Sequence, residues 1–471
     1  MKRRVAVIGA GVSGLASALR LHAIDPDLDV VVYERANRAG GKILTEHIDG
    51  FTIEAGPDAF LASKLGGVTL SHTLGLERRL ISPIAENRRA YVLSRNTLVP
   101  LPQGLTGLVP NELRPMFRSP LLSPIGKARL AMDLVIPPRR EVSDESLASF
   151  VSRRLGRETY ERMIEPLLSG IYAGDGAKLS LAATFPQLRA SELTHGGIIK
   201  GAIALRSEPG VREAGRTASR GFLSLDGGMS VLVDRAVETA RCNGARFGFG
   251  VTCTSIERSA VGTGYRLTLV NDGQDSTEHV EGVVVATPAW VVAPLLAPLA
   301  PAASGELARI EHVSNAVIAI AFPQSQLPRA LDGYGYVVPR IENRDVMAMT
   351  WMSSKWPNRA PDGQVVVRAF VGRAGQTSAL KGSDDFLVQV TLKELRDVFG
   401  FDVTPTLTRV HRWDRGMPQY NMGHLDRVER IESSLARIPG LEIAGNMLHG
   451  VGIPDCIVSG ELAATNLLAD L

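Results

Sequence analysis

The sequence predicts an α/β protein whose centre is a Rossmann-like, dinucleotide-binding domain. Three observations support this prediction: a short apolar strand at the N-terminus, a glycine-rich turn directly after it, and a second apolar strand that ends in a carboxylate. Together they are typical of a βαβ unit, in which the turn and the following helix bind a pyrophosphate.

The first strand and the glycine turn are the N-terminal part of this unit. Residues 5–8 form a short run rich in β-branched side chains, as expected for a buried parallel strand. Glycines then follow at Gly-x-Gly-x-x-Gly spacing, which permits a tight turn, close approach of a pyrophosphate and close packing of the next helix. The residues that we expect to bind the pyrophosphate are Gly9, Ala10, Gly11, Val12, Ser13 and Gly14.

The second strand, residues 30–34, ends in Glu34. This carboxylate stands 20 residues after Gly14, where an acid contacts a ribose hydroxyl in dinucleotide-binding folds. Arg35 follows Glu34 directly and is expected to lie beside this contact with the ribose. Taken alone, the glycines could form an ordinary turn. The strands, the helix and the acid follow at the expected spacing, and together they favour a dinucleotide site.

Two further motifs extend the predicted site. Residues 38–42 place adjacent glycines, the second being Gly41, directly before Lys42, so that backbone and a cation can reach another part of an extended ligand. With residues 53–59, this arrangement resembles the flavin-binding amine oxidase and phytoene desaturase superfamily. The resemblance implies FAD as the cofactor, because NAD-only dehydrogenases do not usually carry such a loop. It also implies that the flavin is lined by Gly56, Pro57, Asp58 and Ala59.

Composition excludes several other classes of protein. With 471 residues, the chain is too long for one core, and we expect two or three subdomains. A net charge of +3 is too small to indicate a nucleic-acid partner. The three cysteines, Cys242, Cys253 and Cys456, form no metal-binding spacing and are typical of free thiols in a reducing compartment, so we predict no metal site.

No signal peptide or membrane span is expected. The chain runs from Met-Lys-Arg-Arg straight into the first strand, which favours a cytoplasmic location. Residues 282–305 carry no charge, but four prolines interrupt them, so we predict a buried strand followed by loop and short helix.

The domain organisation follows from where the strand and helix patterns recur. A βαβ-like block returns at residues 224–287, which makes the nucleotide-binding domain discontinuous. Helical patterns dominate the middle of the chain, and strand-like runs resume after residue 313. We therefore predict an FAD-binding domain of residues 1–57, 221–309 and 436–471, a mixed sheet-and-helix substrate-binding domain of residues 58–86 and 310–435, and an inserted, mostly helical subdomain of residues 87–220.

Three motifs outside the nucleotide site resemble those of oxygen-dependent porphyrinogen oxidases. They are residues 165–175 (EPLLSGIYAGD), residues 412–424 (RWDRGMPQYNMGH) and residues 450–456 (GVGIPDC). The chain is most similar to the soluble bacterial type. The resemblance implies oxidation of coproporphyrinogen III, or alternatively protoporphyrinogen IX, by hydride transfer to flavin N5. Dioxygen then reoxidises the flavin and hydrogen peroxide leaves.

The same resemblance implies further contacts. Val251 would contact the adenine, and the isoalloxazine end would be closed by Trp413, Gly450, Val451 and Gly452. The FAD would be non-covalent although Cys456 lies in the motif. Lys64 and Arg88 would bind substrate propionates, with a solvated surface charge as the alternative for each, and Gly170 would leave room beside the ring. No catalytic acid or base stands out, because the cofactor supplies the difficult step.

Other functions and partners stay open at this point. A flavin amine oxidase, a carotenoid-type desaturase and a flavin-fold binding protein such as a prenyl-GTPase dissociation inhibitor share parts of the pattern. A haem-pathway ferrochelatase is a partner that the resemblance suggests. The apolar, proline-rich residues 98–138 fit either the surface of the inner membrane or the wall of a substrate channel.

Overall fold

The computed structural model of the protein describes residues 3–87, 89–102, 105–106, 109–110, 113–141, 143–207, 221–260 and 263–471. The longer helices in these ranges are Val12–Ile24, Leu65–Thr73, Pro124–Ala131, Leu147–Leu155, Glu165–Tyr172, Pro186–His195, Ile198–Ser207, Ser230–Cys242, Ala289–Leu296, Pro301–Ala308, Asp384–Phe399, His424–Leu435 and Ile453–Asp470. The α/β class predicted from the sequence is confirmed. None of the helices within the described ranges has both the length and the apolar character needed to cross a membrane.

A five-stranded parallel sheet forms the centre of the nucleotide-binding part. In spatial order its strands are Arg246–Phe249, Asp29–Glu34, Arg4–Ile8, Gly282–Val285 and Leu441–Ile443. The middle strands are almost wholly buried because apolar layers cover both faces of the sheet. Residues distant in sequence therefore meet at the carboxyl ends of neighbouring strands, where ligands bind in such sheets.

Different elements cover the two faces of this sheet. The N-terminal helix Val12–Ile24, the helix Ser230–Cys242 and the C-terminal helix Ile453–Asp470 pack on one face. An antiparallel sheet of three strands (Val251–Arg258, Tyr265–Asn271 and Gln274–Val280) packs on the other, with the helices that follow Gly282–Val285. Asp272 and Gly273, which join the last two of these strands, both have positive φ, 48° and 77°, as a two-residue hairpin turn requires.

A second, seven-stranded mixed sheet forms the other large layer. In spatial order its strands are Leu407–Pro418, His312–Pro323, Gln364–Val371, Val346–Trp351, Gly333–Val337, Arg89–Ser94 and Thr97–Pro100. The last two strands fall within the range that the sequence suggested for the helical subdomain, and they hydrogen-bond into this sheet instead. The domain boundaries themselves stay a prediction.

The small remaining strands are Thr45–Ile48, Phe51–Glu54, Phe60–Leu61, Leu80–Ile81, Leu105–Thr106, Val109–Pro110 and Phe222–Leu225. The helices between Pro124 and Ser207 have a core of their own, which includes Phe150, Ile164 and Leu168. Pro166 stands near the start of the helix Glu165–Tyr172 and cannot donate an N–H to the preceding turn, which is π-helical over Tyr160–Ile164.

Candidate functional site

The N-terminal glycine turn has the geometry that close packing requires. Gly9 has a φ of 102°, a conformation that side chains rarely adopt, and its N–H donates to the Tyr33 carbonyl at 2.7 Å. A Cβ atom on Gly14 would collide with the Gly9 carbonyl oxygen. The turn is therefore tight, and the helix Val12–Ile24 begins directly against the strand that precedes it.

Glu34 lies beside this turn. Its Oε2 accepts the Ala10 N–H at 2.8 Å and its Oε1 accepts the Ala36 N–H at 2.9 Å. Each oxygen keeps a lone pair for a further donor such as a ribose hydroxyl. Arg35 next to it is exposed. The Gly250 N–H donates to the Ala36 carbonyl at 3.2 Å, which brings the following residue, Val251, to the same edge.

The second glycine loop touches the first. The Gly40 N–H donates to the Ala10 carbonyl at 2.8 Å, and Gly40 and Gly41 have φ values of 101° and 56°. Lys42 follows, and its ammonium has no ion-pair or hydrogen-bond partner among the described residues. Burial lowers the pKa of Lys42, as expected for a cation held among protein atoms without a counter-charge. An anionic ligand group would supply that charge.

The C-terminal glycine motif packs on the N-terminal one. The Ser17 hydroxyl donates to the Gly460 carbonyl at 2.9 Å, and a Cβ on Gly460 would collide with the Ser13 carbonyl oxygen. The two helices therefore pack closely at Gly460. Residues 450–452 come directly before the helix Ile453–Asp470, and this helix packs on the N-terminal helix, so head and tail of the chain meet. Burial raises the pKa of the Cys456 thiol in this helix to about 11.

The loop of residues 56–59 joins the nucleotide-binding part to the large mixed sheet. Asp58 accepts a hydrogen bond from the Trp356 indole at 2.7 Å and forms ion pairs with Lys355 at 2.7 Å and Arg368 at 3.0 Å. Burial alone would raise the pKa of Asp58, but these two cations outweigh it and hold the pKa far below its ordinary value. The Asp58 side chain therefore stabilises the loop.

The other members of this loop are arranged around its backbone. A Cβ on Gly56 would collide with the Lys42 carbonyl oxygen, so the second and third motifs touch directly. Pro57 and Ala59 are partly exposed. The Trp413 indole N–H donates to the Ala55 carbonyl at 2.8 Å, which brings Trp413 to this loop.

Three polar groups in this region were not identified from the sequence. Thr287 Oγ1, Trp290 Nε1 and His312 Nε2 are buried, and none has a hydrogen-bond partner within the described part of the chain. Thr287 lies against Gly9, since its methyl carbon would be 3.0 Å from a Cβ built there. Buried polar groups are nearly always paired, so these atoms fit a bound polar ligand. Of the three residues, only Thr287 could have been identified from its position, because it follows the carboxyl end of a parallel strand, where ligands bind in such sheets.

The predicted substrate residues differ in their surroundings. Gly170 is exposed, and among the described residues a Cβ there would meet only Val337, at 3.9 Å. Lys64 Nζ lies 2.6 Å from an Asp455 carboxylate oxygen, so its charge is already paired. Arg88 lies outside the described residues.

An apolar cluster stands beside Gly170. Its buried members are Ala173, Val313, Met347 and Ala348, and the partly buried Val337 packs against them. The helix that carries Gly170 is attached to the large sheet through Glu165, whose carboxylate accepts the Arg340 N–H at 2.9 Å. The site thus has a polar side and an apolar side.

His424 is a buried histidine with a structural role. It is buried, its Nε2 donates to the Leu448 carbonyl at 2.9 Å, and it stacks on Tyr420 with ring centroids 4.0 Å apart. Burial lowers the pKa of His424 to about 4, so it is neutral at physiological pH. All three cysteines are free, and no group of metal-ligating side chains occurs in the described ranges.

The chain is similar to known proteins over its whole length. Residues 12–468 match the protein family described as flavin containing amine oxidoreductase. A coproporphyrinogen III oxidase of Bacillus subtilis (strain 168) is 36% identical over 475 residues, covering 100% of this chain and 99% of that protein. A coproporphyrinogen III oxidase of Staphylococcus aureus is 33% identical, covering 100% of both chains.

A solved structure from Exiguobacterium sp. 255-15, itself only provisionally assigned as a protoporphyrinogen oxidase, is similar in fold. It has a TM-score of 0.87 and 32% identity, with 100% of both chains covered. The similarity in fold therefore extends over the full length of the chain.

Proposed function

The chain belongs to the family of flavin containing amine oxidoreductases, and from this premise we propose that it is an FAD-dependent oxidase of coproporphyrinogen III. One observation carries the proposal: the glycine motifs from the two ends of the chain pack on each other. The relatives named coproporphyrinogen III oxidase, which match over the full length, support the choice of substrate.

We propose that FAD is bound without a covalent bond, through the described polar groups. Glu34 would accept the ribose hydroxyl, the N-terminal glycine turn would hold the pyrophosphate, and Lys42 would supply a positive charge. Cys456 stays protonated at neutral pH because burial raises its pKa to about 11. Since the thiolate is the nucleophilic form, this supports non-covalent binding.

The substrate would lie with its ring beside Gly170 and the apolar cluster. A porphyrinogen offers a large apolar ring and carboxylate side chains, and carboxylates need cations. Arg88 is proposed for this role. Lys64 could serve only by sharing its charge between a propionate and Asp455, to which it is paired.

When bound, the flavin would supply the hydride acceptor, and dioxygen would take up the electrons as hydrogen peroxide. The chain's own residues would position the ring and exclude water. The paired side chains of Asp58, Lys355 and Arg368 would keep the loop of residues 56–59 rigid during this step. Three rounds would complete the aromatic macrocycle.

The proposal includes a cytoplasmic location with a peripheral membrane contact. Ile125, Met132 and Val135 are 82%, 47% and 77% exposed, and Lys127 lies between them in sequence. Apolar and cationic side chains together suit an anionic bilayer surface. Co-sedimentation with anionic vesicles tests this contact, and a ferrochelatase is the proposed recipient of the product.

Steady-state oxidation of both porphyrinogens in air, followed by porphyrin fluorescence and peroxide release, tests the activity. We expect coproporphyrinogen III to react faster. Faster oxidation of protoporphyrinogen IX would favour the second candidate, which the assignment of the Exiguobacterium structure supports. Turnover of an amine with neither porphyrinogen reacting would reject the proposal.

A matched pair of variants links the activity to the site. Gly14→Val should abolish flavin retention and oxidation, because a Cβ there collides with backbone. Gly305→Ala, at an exposed position of the helix Pro301–Ala308 with no described atom within 4 Å of the added Cβ, should leave both unchanged.

A further inference from the structure

His312 is a buried histidine whose role no sequence motif indicates. It begins the strand His312–Pro323 at the point where the chain enters the large mixed sheet. Its Nδ1 lies 2.8 Å from the Ile310 carbonyl oxygen. A carbonyl can only accept, so Nδ1 carries the hydrogen, and in the neutral ring Nε2 then presents a lone pair. The ring is thus oriented with its acceptor nitrogen facing away from its own backbone.

That acceptor has no hydrogen-bond partner in the described part of the chain. His312 Nε2 is buried and makes no hydrogen bond within the residues that the structure describes. Buried polar atoms are nearly always satisfied, and a protein that orients an imidazole this way leaves one well-defined acceptor position. Thr287 and Trp290 also have unpaired buried groups in the same part of the molecule.

The surroundings of His312 place it between the two sides of the site. The charges of Lys42 and Arg415 act on its ring, and Lys42 belongs to the second glycine motif. Its neighbour Val313 belongs to the apolar cluster beside Gly170. His312 therefore stands where the proposed cofactor and substrate sides meet.

The same charges define the chemistry of the group that Nε2 can bind. Burial, and then Lys42 and Arg415, lower the pKa of His312, so the ring stays neutral at physiological pH. Two nearby cations also disfavour a charged amine as the donor. A neutral N–H on a heterocycle satisfies Nε2 without adding positive charge.

We propose that His312 is a positioning residue whose Nε2 accepts a hydrogen bond from a ring N–H of the bound heterocycle, and so sets the orientation of that ring. This inference rests on the proposed function. Two sources share the required chemistry: the N–H of the flavin ring and a pyrrole N–H of the porphyrinogen. No proton transfer is required in either case.

Three variants test the role. His312→Phe keeps a planar ring but removes the acceptor, whereas His312→Gln keeps an acceptor at similar reach. His279→Gln, on the exposed part of the strand Gln274–Val280, is the matched control. FAD affinity is measured by fluorescence titration of the apoprotein, and substrate affinity by anaerobic flavin reduction at several concentrations of coproporphyrinogen III.

We expect His312→Phe to weaken binding of one ligand by roughly 5- to 100-fold, because a buried donor then lacks its partner. His312→Gln should recover most of the loss, and His279→Gln should behave as the wild type. Weaker FAD binding identifies the flavin as the donor. Unchanged FAD binding with weaker porphyrinogen binding identifies the pyrrole.

The proposal is overturned if His312→Phe changes neither affinity, or if His312→Gln is as defective as His312→Phe. Should the Phe variant fail to fold, ¹⁵N-histidine NMR of the wild type tests the role instead. The His312 Nε2 resonance should shift when FAD or coproporphyrin III is added. A resonance that neither ligand changes overturns the proposal. Failure of the proposed function is distinct: the wild type would not oxidise porphyrinogen, and the FAD titration would still decide the role of His312.

Discussion

Replacing Gly460 by alanine tests whether the two ends of the chain form one site. Gly460 lies in the helix Ile453–Asp470, where its backbone meets the start of the N-terminal helix. An added Cβ would lie 2.9 Å from the Ser13 carbonyl carbon and 3.1 Å from its Cα, and closer still to its oxygen. Backbone cannot move aside as a flexible side chain can, so the two helices must separate.

Two opposing effects set the magnitude. Overpacking a tight contact costs about 1–3 kcal/mol. Alanine regains about 1 kcal/mol over glycine in a helix interior. We therefore expect Gly460→Ala to lower the free energy of unfolding by up to about 2 kcal/mol. It should also weaken FAD binding, since Ser13 belongs to the turn that we propose binds the pyrophosphate.

Gly305→Ala is the matched control, because Gly305 is also helical and nothing lies within 4 Å of an added Cβ. Here only the helix propensity changes, and we expect a gain of about 0.5–1 kcal/mol. Denaturant midpoints of the apoproteins and FAD titrations measure both effects. Wild-type stability and FAD affinity in Gly460→Ala would refute the packing argument.

Three further predictions concern single charges. Burial, and then Asp470 and Glu432, raise the pKa of Glu442 to about 7, so its ionisation lowers the stability of the fold as pH rises from 4.5 towards 7. Glu442→Gln should therefore raise the melting temperature at pH 8 but not at pH 5. Equal effects at both pH values would contradict this. Lys42→Met should weaken FAD binding about 10-fold, and Lys42→Arg should not, because the positive charge rather than the shape of the side chain is needed. An unchanged dissociation constant for FAD in Lys42→Met would exclude Lys42 from the site. Arg88→Ala should raise KM for the porphyrinogen, whereas Arg89→Ala, at an exposed residue paired with Asp332, should not. An unchanged KM in Arg88→Ala would exclude Arg88 from the substrate site.

Local features of the nucleotide site were predictable from the sequence. The spacing of the glycines, the apolar strands around them and the acid after the second strand are short-range properties, and the turn at Gly9 and the contacts of Glu34 agree with them. The close approach at Gly460 was also predictable, since a glycine within a helix is unfavourable unless its small size is needed.

The partners of charged side chains were not predictable. Lys64 stays a predicted substrate contact, and its pairing with Asp455, which is remote in sequence, was not foreseen. Asp58 stays a predicted contact on the flavin side, and the pairing of its carboxylate with Lys355 and Arg368 was not foreseen either. His312 and Trp290 belong to no sequence motif. They stand out only because a buried nitrogen of each has no hydrogen-bond partner among the described residues.

By itself, the sequence determined the α/β class, the nucleotide-binding turn and the positions where glycine is required, since these depend on backbone conformation and side-chain periodicity within short segments. The tertiary structure alone decided which charges are neutralised within the protein, which polar atoms stay free for a ligand, and that the large sheet recruits Arg89–Ser94 and Thr97–Pro100. The reason is physical: ion pairing, desolvation and strand pairing depend on distances in space between segments far apart in the chain, and no local pattern encodes those distances.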